Sequence, residues 1–282
     1  MPSSPSSSAQ AARAAVAARL RELRLDAGLT GKELAVRCGW HPAKTSRLEN
    51  ALTPPSDDDI RSWCATCDAA PSAPDLIAAT RAVDSMYMEW RRLHRTGLKR
   101  THETSVPLYE RTCLFRVYCS TVIPGLVQTP SYAEALMASI TRFQGTPDDV
   151  AEAVAARIAR SHVIHDGDHR FALLIEEAVL YYRVGDPQVM AGQLGYLLAA
   201  MSSPSVSLGV IPFTAERPVW TLEAFNMFDD DQVLVELLTA AVTVTSPREI
   251  EDYGRAFAEL SRMAVYGARA RSLITAAIAA LG

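Results

Sequence analysis

At 282 residues and 49% hydrophobic content, the chain can bury a large core and is long enough for two domains. It has no run of about 18 apolar residues, which argues against a membrane span, and its start lacks the charged head and apolar core of a secretory signal. Five cysteines, an odd number without a regular framework, fit a reducing cytoplasm. The formal net charge of −4 hides an uneven distribution. Residues 1–111 hold 16 Lys and Arg against 13 Asp and Glu, whereas residues 112–282 hold 12 against 19. Within the first part, residues 1–50 hold 8 basic against 4 acidic residues.

In chain order, residues 1–10 read as a disordered tail rich in Ser and Pro. Ala11 to Asp26 then carries Val16, Leu20, Leu23 and, just beyond, Ala27 on one helical face. Gly28 ends that helix where a left-handed residue is easiest to place. Thr30 and Glu33 form a capping box for a second helix, whose buried side is Leu34, Ala35 and Cys38. Gly39 supplies a tight turn, and His41 with Pro42 opens a third helix over about 42–50. Two short helices hinged on a glycine make a helix-turn-helix.

On this reading Thr45 and Leu48 face inward, Pro42, Ala43, Ser46 and Arg47 face the major groove, and Lys44 meets phosphates. Arg47 is the side chain best suited to a bidentate contact with guanine. Thr30 and Lys32 stand at a helix N-terminus, which favours a phosphate, and His41 and Asn50 flank the recognition helix. The alternative is a plain helical hairpin in which Arg47 to Glu49 is a solvated face. Positive charge concentrated in this segment supports the first reading, and the acidic remainder disfavours unspecific coating of DNA.

The stretch Leu-Thr-Gly-Lys-Glu-Leu-Ala (29–35), with Gly39-Trp40 and Ser46-Arg-Leu-Glu-Asn50, resembles the Xre-type, phage-repressor and Cro-like helix-turn-helix family over about residues 17–70. One departure is Gly31, where that family often carries a glutamine that grips the DNA backbone. Ser56 with Asp57, Asp58 and Asp59 opens a further helix over about 57–68, with Ile60, Trp63, Cys64 and Cys67 inward. A linker helix is expected over about 74–95, carrying Leu76, Ile77, Val83, Tyr87 and Trp90. The cluster Arg91, Arg92, Arg95, Lys99 and Arg100 either touches flanking phosphates or forms a solvated linker face.

From about residue 105 the texture changes. Strands are expected at Leu114–Val122, Phe171–Glu176, Val206–Pro212, Ala224–Phe228, Val233–Leu237 and Val242–Thr245. Helices are expected over 130–142, 147–164, 187–201, 247–266 and 270–280. Thr129, Thr146, Asp186 and Ser246 each precede a proline as caps, and Ser246 with Glu249 suggests a capping box. This order predicts an α+β domain on a modest mixed or antiparallel sheet, joined to a mainly α, five-helix N-terminal domain. Val122-Ile-Pro-Gly-Leu-Val-Gln-Thr-Pro-Ser-Tyr-Ala133, Glu176-Glu-Ala-Val-Leu180, Gln193-Leu-Gly-Tyr-Leu197 and Val210-Ile-Pro-Phe213 resemble the C-terminal domain of unknown function in actinomycete Xre-type regulators, the WhiJ-like developmental regulators among them. That resemblance implies transcriptional control and makes a small companion protein a plausible effector.

Other groupings have a chemical and a bland reading. Cys38, His41, Cys64 and Cys67 have acceptable zinc spacing, but buried cysteines behave as small hydrophobes, and no metal is expected. His162, His165, Asp166, Asp168 and His169 are a metal or proton-sensing patch, or a polar turn. Glu176 and Glu177 are catalytic carboxylates, or a solvated edge or cap. Tyr181, Tyr182, Phe213, Trp220 and Phe225 line a ligand pocket, or are core. No nucleophile elbow, phosphate loop or dinucleotide fingerprint is present, so neither an enzyme nor a bound cofactor is expected.

The sequence thus predicts a cytoplasmic, nucleoid-associated, sequence-specific transcriptional regulator with a tail (1–10), a DNA-binding domain (11–72), a linker helix and basic segment (73–104) and an effector and dimerisation domain (105–282). Its partners would be an operator in double-stranded DNA, a second copy of itself in a homodimer, and a small molecule or companion protein. The rival is a protein-interaction module, antitoxin-like or anti-sigma-like, acting through a small companion protein.

Overall fold

The computed structural model describes residues 6–220 and 223–282, apart from the side chains of residues 6–9, 11, 81–89 and 91. Two units are present, Met1–Met88 and Glu89–Gly282.

Among the described residues the first unit holds five α-helices: α1 (Ser6–Asp26), α2 (Gly31–Arg37), α3 (Pro42–Glu49), α4 (Asp57–Thr66) and α5 (Ala73–Met86). Residues 6–10 of the expected tail belong to α1, and residues 1–5 lie outside the described residues. Val16, Leu20 and Leu23 from α1 meet Leu34, Leu48, Ile60, Trp63 and Cys64 in one core. Fully burying each of the larger side chains contributes about 1.5–3 kcal/mol. Trp63, with no exposed surface, satisfies its indole N–H on the Leu20 carbonyl at 2.9 Å. Ala73, Leu76 and Ile77 of α5 join the same core. The segment expected as a linker helix is therefore, in its first half, a fifth wall of this unit. Val83 and Tyr87, expected on that helix, lie among the residues whose side chains are not described.

A short strand, β1 (Tyr87–Glu89), spans the boundary, and α6 (Trp90–Leu93), α7 (Lys99–Thr104) and α8 (Val106–Arg111) follow. Then come β2 (Leu114–Cys119), α9 (Pro130–Gln144), α10 (Val150–Ser161), β3 (Arg170–Glu176), α11 (Pro187–Ala200) and β4 (Val206–Ile211). The chain ends with β5 (Phe225–Phe228), β6 (Gln232–Glu236), β7 (Ala240–Val244), α12 (Pro247–Met263) and α13 (Gly267–Ala279).

The six strands of this unit run in the order β7-β6-β5-β2-β3-β4. Pairing of β2 with β3 and of β3 with β4 is parallel, and the other pairings are antiparallel, so the sheet is mixed. The parallel strands are nearly continuously buried, as strands covered on both faces are. On one face Phe115 stacks on Phe171 at 4.8 Å within a core reaching Met190, Leu194 and Ile274. On the other, Tyr118, Phe225, Tyr253 and Phe257 bring α12 down onto the sheet.

Local start signals hold at two of the four expected caps. Thr129 accepts from the Tyr132 N–H at 3.3 Å and Asp186 from Val189 at 2.9 Å. Ser246 makes no side-chain cap, so the expected box with Glu249 is absent. Thr146 does not open a helix either, because α10 begins at Val150. The Asp149 carboxylate instead turns away to accept the N–H groups of Leu98 and Lys99, both at 2.8 Å, and caps α7. Among the described residues no helix is long and apolar enough to cross a membrane.

Candidate nucleic-acid interface

The site is built on α3 and the turn before it. The Thr30 hydroxyl accepts from the Glu33 N–H at 3.2 Å, and the Glu33 carboxylate accepts from the Thr30 N–H at 2.7 Å. Hydrogen bonds from Thr30 hold the Glu33 carboxyl below its ordinary value. That negative charge occupies part of the helix end expected to favour a phosphate, although Lys32 remains exposed beside it. Gly39, at φ +69°, makes the turn that most residues resist, because a Cβ there crowds the following carbonyl. The His41 ring then accepts the Ala43 N–H through Nδ1 at 3.2 Å, and Pro42 follows where no donor is needed.

Thr45 and Leu48 are buried, and Pro42, Ala43, Ser46, Arg47 and Asn50 are exposed together with His41. The Arg47 guanidinium makes no hydrogen bond or ion pair among the described residues, so its fork is free for a partner. Two expected contacts are already engaged. Lys44 Nζ lies 2.5 Å from Asp59 Oδ1 and 4.4 Å above the Trp40 ring, which draws it back against α4 instead of leaving it extended toward phosphates. The Asn50 amide donates to the Ser46 carbonyl at 2.8 Å and closes the end of α3. Burial raises the Asp59 carboxyl, but hydrogen bonds from Lys44 and Ser56 outweigh it and hold the group below the ordinary aspartate value.

One positioning pair was invisible in the sequence. Arg24, 7% exposed at the end of α1, donates through Nε to Glu49 Oε1 at 2.5 Å and through Nη2 to Oε2 at 3.3 Å. Its Nη1 donates to the Leu29 carbonyl at 2.5 Å. This fork ties the last turn of α3 to α1 and to the loop before α2. Glu49, one end of the solvated face in the alternative reading, is a half-buried anchor, its side chain 13% exposed. Ala51, at φ +54°, and the N–H of Leu52 on the Arg47 carbonyl at 2.9 Å then turn the chain out of the helix.

Residues 15–78 match the model of a helix-turn-helix domain, the architecture that lays its second helix in the major groove. Residues 108–276 match that of a Domain of unknown function (DUF5753). The chain belongs to the DUF5753 family. No curated protein matches it. A solved structure of TrmBL2, described as an archaeal chromatin protein showing a novel mode of DNA binding, aligns at 11% identity over 85% of this chain and 88% of that one. Its TM-score of 0.30 is too low to support a shared fold.

The DUF5753 domain does not bring together the five aromatics read either as a pocket lining or as core. Phe225 is core, 4% exposed and edge-on to Tyr253. Tyr181, Tyr182, Phe213 and Trp220 are exposed, and of these Tyr181 and Phe213 approach each other, at 6.3 Å between ring centres. Glu176 is not a solvated edge: it is 9% exposed, accepts Tyr118 Oη–H at 2.8 Å and receives both Nη atoms of Arg217 at 2.7 and 2.6 Å. Glu177 accepts the Phe213 N–H at 2.7 Å. Both carboxylates therefore pin the loop after β4.

The histidine patch is a turn, with His162 3.5 Å from Asp166 and His169 Nδ1 2.7 Å from the Thr112 carbonyl. Cys38 Sγ sits 3.2 Å from Thr66 Oγ1, and burial pushes the Cys67 thiol up to about 11. In the basic segment Arg92, Arg95 and Arg100 are exposed, Lys99 pairs with Glu103 at 3.6 Å, and Arg91 lies among the side chains not described.

Proposed function

We propose that the protein is a sequence-specific transcriptional regulator of the Xre type, related to the WhiJ-like group, that inserts α3 into the major groove of its operator. One observation carries this reading: α3 is anchored at both ends, by the His41 cap and the Arg24–Glu49 pair, while Pro42, Ala43, Ser46 and Arg47 stand exposed along one side. A rigid helix presenting small residues and one unpaired arginine suits close approach to base edges. The protein acts by binding rather than catalysis, in the cytoplasm at the nucleoid. The DUF5753 domain dimerises the chain, so that two readers meet a near-palindromic site, and responds to a small molecule or companion protein. An effector shifts DNA affinity only through its differential affinity for the two arrangements of the readers.

Selection of bound sequences from a random duplex library by the full chain tests this reading. Enrichment of a palindrome by the native protein, lost with Arg47→Ala, is the expected result. No enrichment by well-folded protein, with a stoichiometric complex formed instead with a small companion protein, would point to the interaction-module reading.

A further inference from the structure

Among the described residues, two arginines of the DUF5753 domain have no ion-pair partner. Arg157 and Arg160 stand three residues apart on α10, hence on one face of that helix. Arg157 Nη1 donates to Gln128 Oε1 at 2.7 Å, and Gln128 is itself held by the Ile123 carbonyl at 2.7 Å. Arg160 Nη1 donates to Ser105 Oγ at 2.8 Å, and its guanidinium lies 4.2 Å above the Tyr109 ring. Both partners are neutral. Among the described residues neither arginine has a carboxylate within ion-pair distance, and the buried Nε of each has no acceptor. Glu236 exerts a distant pull on Arg157 but forms no ion pair with it.

His102 on α7, 6% exposed, lies within the field of both arginines, and its Nδ1 is also without a partner. Burial first, and then those two charges, pushes its imidazole down to about 2, so it adds a neutral ring and no third charge. Buried charges in proteins are normally paired, because removing an ion from water is costly, and each buried polar group left without a partner needs a reason. A group of this kind where α7, α10 and the turn at residues 123–128 meet is the arrangement expected of a site prepared for an anion.

We infer that Arg157 and Arg160 form an anion-binding site that takes the phosphoryl group of a small molecule, with the ligand supplying the negative charge the fold omits. A phosphoryl group brings two charges and several free oxygens, which suits two guanidinium forks; a lone carboxylate suits one. Gly125 lies against this site, where a Cβ would stand 3.9 Å from Arg160 Nη2, so the turn crowds the guanidinium little. The inference rests on the effector-sensing role proposed above and gives it a chemical class.

The test is calorimetric titration of the full chain, without DNA, by inorganic phosphate, pyrophosphate and acetate at constant ionic strength. Phosphate and pyrophosphate should bind saturably near one per chain, and acetate more weakly. Arg157→Gln and Arg160→Gln should each weaken phosphate binding about tenfold or more, as loss of a charge-assisted fork does, whereas the exposed Arg170→Gln should bind as the native chain does. Arg157→Gln should also melt no lower than the native protein without anion, which a merely structural arginine would not allow. If a glutamine variant fails to fold, Arg157→Lys and Arg160→Lys, which keep the charge but lose the fork, should show the same direction of loss. Absence of saturable binding by the native chain, or binding unchanged in both arginine variants, would overturn the inference. Because no DNA is present, failure here would leave the DNA-reading proposal standing, and failure of that proposal would leave this site standing.

Discussion

Arg24 in the N-terminal unit and the Arg157–Arg160 pair in the C-terminal unit meet the same problem, a guanidinium drawn out of water, in opposite ways. Arg24 has a bidentate carboxylate and a backbone carbonyl, which leaves little of its fork to spare. Arg157 and Arg160 have an amide and a hydroxyl and, among the described residues, no anion. The first arrangement makes a rigid seat for a helix. The second holds charge in reserve, at a standing cost in stability. A buried arginine is informative through what it lacks as well as through what it touches.

The sharpest way to break the comparison is Glu49→Gln. It leaves Arg24 buried without a counter-charge and should cost about 3–5 kcal/mol, read as an early loss of the N-terminal unit in urea unfolding. A cost below about 1 kcal/mol would mean that the pair behaves as a surface ion pair. The next effect falls on binding rather than on stability. Arg47→Ala should weaken operator affinity by about 1–3 kcal/mol and relax preference at one base pair, with the melting temperature unchanged.

The C-terminal unit can be probed by pH. In the unfolded chain His102 titrates near its ordinary 6.5, and in the fold it is held down to about 2. Between those values the unfolded state binds the extra proton, so stability should fall as pH drops below 6.5. The slope approaches about 1.4 kcal/mol per pH unit. His102→Asn should flatten that part of the curve, and an unaltered curve would place the acid sensitivity elsewhere. Smaller still, Thr30→Ala should cost about 1 kcal/mol through loss of the α2 cap. Lys44→Ala should cost about 0–1 kcal/mol, as a half-exposed ion pair does, with little change in the salt dependence of DNA binding. A large fall in that dependence would return Lys44 to the phosphates.

What the sequence revealed and what it hid divide by distance along the chain. The Thr30–Glu33 box, the His41–Pro42 start and the Gly39 turn each involve residues within a few positions of one another, and local stereochemistry decides them. The strands from 114 to 244 were legible to within a few residues because β-branched and aromatic runs are bounded by turn residues. Arg24 and Glu49 are separated by 25 positions, and Lys44 and Asp59 by 15. Such pairs exist only once the helices have packed, and nothing local announces them. Ser246 and Thr146 failed as caps for the converse reason: a polar residue before a proline is permissive, but tertiary contacts choose which group caps. Glu176 and the α10 arginines are of the same kind, since burial and the identity of the partner decide their role.

The most direct test of the central claim is amide chemical-shift mapping of the full chain titrated with its selected operator. The largest perturbations should fall at His41, Ala43, Ser46 and Arg47, with the buried Thr45 and Leu48 less affected. Perturbations confined to the C-terminal unit, with α3 unmoved at saturating DNA, would contradict it.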